Sequence, residues 1–195
     1  MKKTTLFFIA CMAFSFLACE GPSPEEQRQA AELDSVPKEE FEDVEAKLTE
    51  LGLSLPDVAP PAGNYSNAVR VGNLLFLAGK GPSRSDGTYV TGKVGADLTV
   101  EEGYQAARYV ALAHLAVLKS ELGDLNKVRQ LVRVDGMVNA DPSFTNQPEV
   151  MNGYTDLMVT LFGEQRGKPA RAAVGMASLP RNIAVEVVLV AEVTD

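Results

Sequence analysis

Two charges near the C-terminus stand out because almost nothing around them is polar. The run Pro169–Ala191 reads as two β-strands separated by Leu179-Pro180-Arg181-Asn182. Each strand is apolar on both faces and each is interrupted by one charge, Arg171 in the first and Glu186 in the second. An unpaired ion buried in such a strand costs on the order of several kcal/mol. Either the two neutralise each other as structure, across strands or across an interface, or they face a pocket that needs them. In a pocket, a guanidinium fork suits a small planar carboxylate and stays charged at any working pH. Strand alternation puts Glu186 on one face with Val188 and Val190, where desolvation raises a carboxyl pKa toward the range useful for proton transfer. An arginine beside it would oppose that rise.

Other titratable residues have simpler explanations. His114 falls beside a helical stripe of Tyr104, Ala107, Ala111, Leu115, Leu118 and Leu122, which reads as the boundary of a core rather than a catalytic position. Glu101 and Glu102 open the same helix and are accounted for by capping and the helix dipole. The chain has one His, two Cys and a formal net charge of -8. That acidity argues against nucleic-acid binding, which needs basic patches to neutralise phosphates. One histidine with so few thiols argues against a transition-metal centre.

The elements that must hold these residues follow from periodicity and punctuation. Ser35 reads as a helix N-cap with Pro37 in the first turn; Phe41, Val44, Leu48 and Leu51 then recur at helical spacing and Gly52 stops the helix. The expected place of this helix is the edge of the domain. Pro56, Pro60 and Pro61 end this prelude, and a domain proper spans residues 60–195. Two runs across Gly72-Asn73 predict a hairpin ending in Leu74–Ala78. A Gly/Ser/Asp-rich loop leads to a capping box at Thr99–Glu102 and a long helix to Leu122, stopped by Gly123. Val128–Val138 is the next strand, and a second helix runs from about Pro148 to Phe162 before the two charged strands. The order ββαβαββ predicts an α+β fold of two layers, a mostly antiparallel sheet with two helices on one face. The last strands are apolar on both sides, so the uncovered face is expected to be buried by further copies. A closed ring of three, a homotrimer, would do this around an axis.

The chain resembles the Rid (RidA/YjgF) family over residues 60–195. The resemblance rests on Asn64-Tyr65, on Val71–Gly79, on the helix carrying Asn152, and on Arg171 followed by Leu179-Pro180 and Val185-Glu186-Val187. It is nearest a mostly uncharacterised branch with an acidic N-terminal helix and the stretches Thr91–Thr99 and Asn146–Val150. The founding members are reactive-intermediate imine deaminases with a chorismate-mutase-like fold. The resemblance implies that Arg171 holds the substrate carboxylate and that Glu186 activates water. Tyr65 corresponds to the tyrosine near the family's site and Asn152 to its polar helix residue, either able to orient substrate or water. An exposed loop tyrosine and a helix N-terminal asparagine remain the alternatives. Gly79 offers a backbone N–H to a carboxylate, or is only a turn. Lys80 stands where a neutral amide is typical, as a second carboxylate contact or a solvated loop lysine.

Ala78 and Ala173 replace a serine and a cysteine common in deaminase members, which removes polar contacts near the substrate. Two functions therefore stand side by side. One is hydrolysis of small enamine or imine acids to keto acids and ammonia, without cofactor or metal; the other is capture of a small carboxylate without turnover. The ribonuclease activity attached to some relatives is disfavoured by the acidity.

The N-terminus predicts an address. Met1-Lys2-Lys3, an apolar run from Leu6 to Ala18 and then Cys19 resemble a bacterial lipoprotein signal, with residues 1–18 removed and Cys19 lipidated. Residues 19–36 then form an acidic tether, and residues 37–59 the helix and Pro-rich prelude. Loss of Lys2 and Lys3 takes the formal charge from -8 to -10. The expectation is a protein anchored by lipid to a membrane of a bacterial cell envelope, facing the periplasm or the surface.

Overall fold

A computed structural model describes Ser23 and residues 41–194. The chain divides between Glu40 and Phe41, and the fold belongs to the second unit. The signal, Cys19, the tether and the expected Ser35–Pro37 helix start lie outside the described residues.

The first helix, α1 (Val44–Glu50), starts at an Asp43 cap whose Oδ1 accepts from the backbone N–H of Glu45 at 2.9 Å and Ala46 at 3.2 Å. Residues 41–43 are not helical, so the single helix expected from Ser35 through Leu51 does not exist. The carboxylate of Asp43 satisfies the free N–H groups of a new first turn there. Gly52, at φ 63°, ends the helix as expected. Val44 and Leu48 are buried, and Glu45 accepts from Lys119 Nζ and from the Leu125 N–H, which docks α1 on the end of the long helix.

The hairpin is β1 (Ala68–Val71) and β2 (Leu74–Lys80), paired from Val71–Leu74 outward. Helix α2 (Val100–Leu122) carries the complete Thr99/Glu102 capping box and ends on Gly123 at φ 75°. Strand β3 (Val128–Asn139), helix α3 (Gln147–Gly167), β4 (Ala170–Met176) and β5 (Val185–Val193) complete the order. The five strands are arranged β1-β2-β5-β3-β4, with β3 and β4 parallel and all other pairs antiparallel. Among the described residues the fold is α+β with a mixed sheet and three helices, the expected pair on the sheet and the prelude helix α1 at its edge.

Helix α2 lies over β2 and β5, and α3 over β3 and β4. Beneath them the core takes Leu75 and Leu77 of β2, Leu131, Val134 and Val138 of β3, and every second residue of β5 from Val185 to Val193. The helices meet at Gly153, where any Cβ would land on the carbonyl oxygen of Tyr104. The other sheet face is open and apolar: Val69, Val71, Leu74, Phe76 and Val174 are all exposed, Val71 to 62%. Helix α3 breaks where sequence periodicity ends it. Gly163 adopts φ 75°, ψ 170°, and the chain then resumes a helical turn to Gly167. That turn delivers Arg166 into the core, only 2% exposed, between the rings of Phe41 and Phe162.

Candidate functional site

The strand order decides the fate of the two lone charges. β3 lies between β4 and β5, so Arg171 and Glu186 are not neighbours. Arg171 is in register with the buried Val134, on the helix side of the sheet. Glu186 is opposite Met137, three residues along β3, and therefore on the open side. The strand-to-strand ion pair does not form, and one protomer does not bring both charges into one crevice.

Glu186 instead faces the β2 end of the sheet. Between Leu77 and Lys80 the β2–β5 register slips, so that Ala78 and Gly79 oppose Val188 alone. This bulge turns the chain toward α2. The Glu186 side chain packs directly against Gly79, where a Cβ would push its carboxyl aside. The half-buried carboxyl receives no hydrogen bond from any described residue, and burial raises its pKa. Lys80, next on the bulge, is also half-buried, with a pKa lowered by burial. Its Nζ donates to Asn67 Oδ1 at 2.5 Å, and the Asn67 amide donates in turn to the Ala59 carbonyl at 3.1 Å. Asn67 thus ties the lysine to the Pro-rich prelude, which forms one wall of the site.

Gly79, Lys80, Glu186 and the prelude line a cavity of about 660 Å³ that also takes in Tyr65, Tyr89, Ala113 and Val117 of α2, and Arg181. A second depression, on the open sheet face, is bounded by Tyr65, Val69, Phe76 and the same Gly79 and Glu186. Glu186 stands where the two hollows meet. The Tyr65 hydroxyl accepts from the Ala62 N–H at 3.2 Å, which fixes the ring at the rim. Of the residues singled out by sequence, Tyr65, Gly79, Lys80 and Glu186 are therefore assembled in one place.

Arg171 and Asn152 are assembled in another. Nη1 of Arg171 donates to Asn152 Oδ1 at 2.9 Å and to Thr155 Oγ1 at 2.8 Å, and Nη2 donates to the Pro148 carbonyl at 3.4 Å. Asn152 is thus an arginine-positioning residue within this chain and is not beside Glu186. Thr155, absent from the sequence-based set, shares that task; its spacing from Asn152, one helical turn, is the cue.

Arg181 was also outside that set. It and Asn182 both adopt left-handed backbone, at φ 56° and 58°, a region few non-glycine residues enter. The turn is held from both sides: Asn139 Nδ2 donates to Asn182 Oδ1 and the Gly92 N–H to the Asn182 carbonyl, each at 2.9 Å. The one cue in sequence is a Pro180-x-Asn182 turn, which says nothing of the direction of the side chain between.

His114 is wholly buried, not at the boundary. Its Nε2 lies 3.2 Å from the Ala78 carbonyl and its Nδ1 2.9 Å from the Tyr154 hydroxyl. Burial, opposed by the bond to Ala78 and helped by Lys80, lowers its pKa to about 4. The neutral ring therefore donates from Nε2 to the carbonyl and accepts from Tyr154 at Nδ1. It braces the bulge from behind. Among the described residues no three His, Cys, Asp or Glu side chains converge as a metal site would require, and no helix is long and apolar enough to cross a membrane.

Residues 45–193 match the family described as "YjgF/chorismate_mutase-like, putative endoribonuclease". The chain is 46% identical over 144 residues to Protein TCP17 of Trypanosoma cruzi, covering 74% of this chain and 90% of that one. It is 31% identical over 136 residues to a 2-iminobutanoate/2-iminopropanoate deaminase of Dermatophagoides farinae, covering 69% and 90%. A crystal structure from Shewanella oneidensis MR-1, titled as a "putative endoribonuclease", superposes with a TM-score of 0.74 at 36% identity, over 77% of this chain and 99% of that one.

Proposed function

The chain belongs to the YjgF/chorismate-mutase-like family, and from that premise we propose that it hydrolyses small 2-imino acids to 2-keto acids and ammonia. The observation that carries this reading is Glu186: a half-buried carboxyl with a raised pKa, facing a cavity, with no donor from the described residues. Kinship to a 2-imino acid deaminase supports the same chemistry.

The reaction needs one water and one proton carrier. Water adds to the carbon of the protonated imine while Glu186 takes a proton from it, giving a tetrahedral carbinolamine. Glu186 returns that proton to the amine nitrogen. Ammonia leaves as the hydroxyl oxygen becomes the carbonyl and gives its proton to the Glu186 carboxylate, which releases it to solvent before the next turnover. A carboxyl held above its usual range is suited to both halves of this exchange. Tyr65, at the rim, orients the substrate or the water.

The arginine comes from a second copy. Arg171 stands on β4, at the far edge of the sheet from β1 and β2, and the open apolar face requires cover. In a closed ring of three, the β4 edge of one copy meets the hollow beside Glu186 of the next, and Arg171, steadied by Asn152 and Thr155, holds the substrate carboxylate there.

The test is ammonia release from an imine formed in situ by an amino-acid oxidase. The protein should accelerate it and the folded Arg171→Ala variant should not; equal rates end the reading. Mixing Arg171→Ala chains with Glu186→Gln chains, each inactive alone, should restore about a quarter of native activity in a randomly reassembled ring. No recovery in a reassembled ring would contradict the shared site.

A second reading, capture of a carboxylate without turnover, is favoured by Ala78 and by Ala173, which packs against the core and adds no polar atom to the site. Calorimetric binding that depends on Arg171, without ammonia release, would establish it. The membrane anchor through Cys19 belongs to either reading. Acylated Cys19 at the mature N-terminus, found by mass spectrometry of membranes, supports it; a soluble chain retaining Met1 refutes it.

A further inference from the structure

The geometry points to a second anion subsite in the Glu186 cavity, formed by Lys80 and Arg181, which selects 2-imino acids carrying a second carboxylate. The inference rests on the hydrolase reading for its chemistry but on separate residues for its specificity.

Four charged side chains line the cavity: Lys80, Arg181, Glu186 and Asp57. None of them forms an ion pair among the described residues. The two cations differ in setting. Lys80 is half-buried, and of its three ammonium hydrogens one is taken by Asn67, so two remain to be used. Its desolvation has no compensating acid, a cost that a bound anion would remove. Arg181 is exposed at the rim on a left-handed turn, and Asn139 and Gly92 hold that turn through its neighbour Asn182. Backbone of that kind is retained where the surroundings over-determine it.

Charge balance then names the ligand. On the reading above, the substrate's first carboxylate is met by Arg171 of another copy, and the protonated imine nitrogen by Glu186. That leaves Lys80 and Arg181 against Asp57 alone, which lies exposed on the prelude as Arg181 does on its turn, so that solvent screens the two alike. One cation is in excess. A single further carboxylate restores neutrality, whereas a phosphate dianion overshoots it. A substrate with an uncharged side chain would leave the half-buried Lys80 with Asn67 but no anion, so the cavity discriminates against it.

The experiment compares two imines made in situ by amino-acid oxidases, the four-carbon 2-imino diacid from aspartate and 2-iminopropanoate from alanine. It uses the full chain and the Lys80→Met and Arg181→Gln variants. The native protein should favour the diacid at least tenfold in kcat/KM, and each variant should lower that ratio about tenfold. A native ratio near one, a ratio unmoved by both variants, or an equal loss on both substrates overturns the subsite. Calorimetry with succinate and propanoate on the same three proteins reads the subsite without turnover. If neither imine releases ammonia but succinate binds tenfold tighter in a Lys80- and Arg181-dependent way, the hydrolase reading falls and the subsite stands. If ammonia is released without preference, the reverse holds. Equal or absent binding of both acids counts against the subsite.

Discussion

The molecule buries charge at two ends of its sheet, and the two sites are built on opposite principles. At the end of α3, Arg166 is nearly inaccessible, yet its Nε and Nη2 both donate to the Val128 carbonyl, at 3.1 and 2.7 Å, and its plane lies between two phenyl rings. Among the described residues it has no acid partner; hydrogen bonds and ring faces offset part of its desolvation, and burial still lowers its pKa. At the β2 bulge, Glu186 and Lys80 are less buried and far less satisfied. Burial alone therefore does not mark a working group here. The mark is burial with bonding capacity left over, beside space for a ligand.

The largest expected effect breaks the comparison at its functional end. Glu186→Gln keeps the shape of the side chain and removes the proton carrier, so kcat should fall by about 10² to 10⁴. Stability should move the other way. The native carboxyl holds its proton to higher pH than in the unfolded chain, so the advantage of its neutral form is lost as pH rises through the folded pKa. Melting temperatures of variant and native protein should converge at acid pH, with the variant ahead at alkaline pH. A variant that melts lower at every pH would show that Glu186 is structural.

The next effect belongs to the satisfied end. Arg166→Met leaves the Val128 carbonyl without its donor and removes the ring contacts, which should cost about 2–4 kcal/mol in denaturant unfolding. Activity per folded molecule should not change. A loss of activity beyond the loss of folded protein would dissolve the distinction between the two ends.

The smallest effect sharpens the comparison at the intermediate case, Arg171, which is partly satisfied by the helix it faces. Asn152→Ala frees the guanidinium to turn and should raise KM roughly tenfold with little change in kcat, as expected when positioning of a binding group is lost. A fall in kcat with KM unmoved would return Asn152 to the catalytic role that the family resemblance implies.

Much of this was legible in the residues. The capping box at Thr99, the stops at Gly52 and Gly123, the hairpin at Gly72-Asn73 and the alternation around Glu186 are local signals, and the structure realises each of them. Two elements departed from periodicity, and contacts distant in sequence helped decide both. Asp43 caps α1 inside the apolar stripe that periodicity runs from Ser35, because its carboxylate accepts from the first turn and from Asn126, whose own Oδ1 accepts from the Val44 N–H. Phe162 ends the pattern of α3, but the chain resumes beyond Gly163 because Arg166 finds a carbonyl and two rings that only the folded state supplies.

The chain's own order of residues determined which groups carry charge into an apolar setting, and on which face of its strand each one lies, since alternation follows from the geometry of a single extended strand. It did not determine which strands are neighbours. The insertion of β3 between β4 and β5 separated Arg171 from Glu186, and the bulge at Gly79 brought Glu186 to Lys80, Tyr65 and the turn at Arg181. Pairing between distant strands reflects the packing of the whole sheet against its helices, and only the assembled fold expresses it.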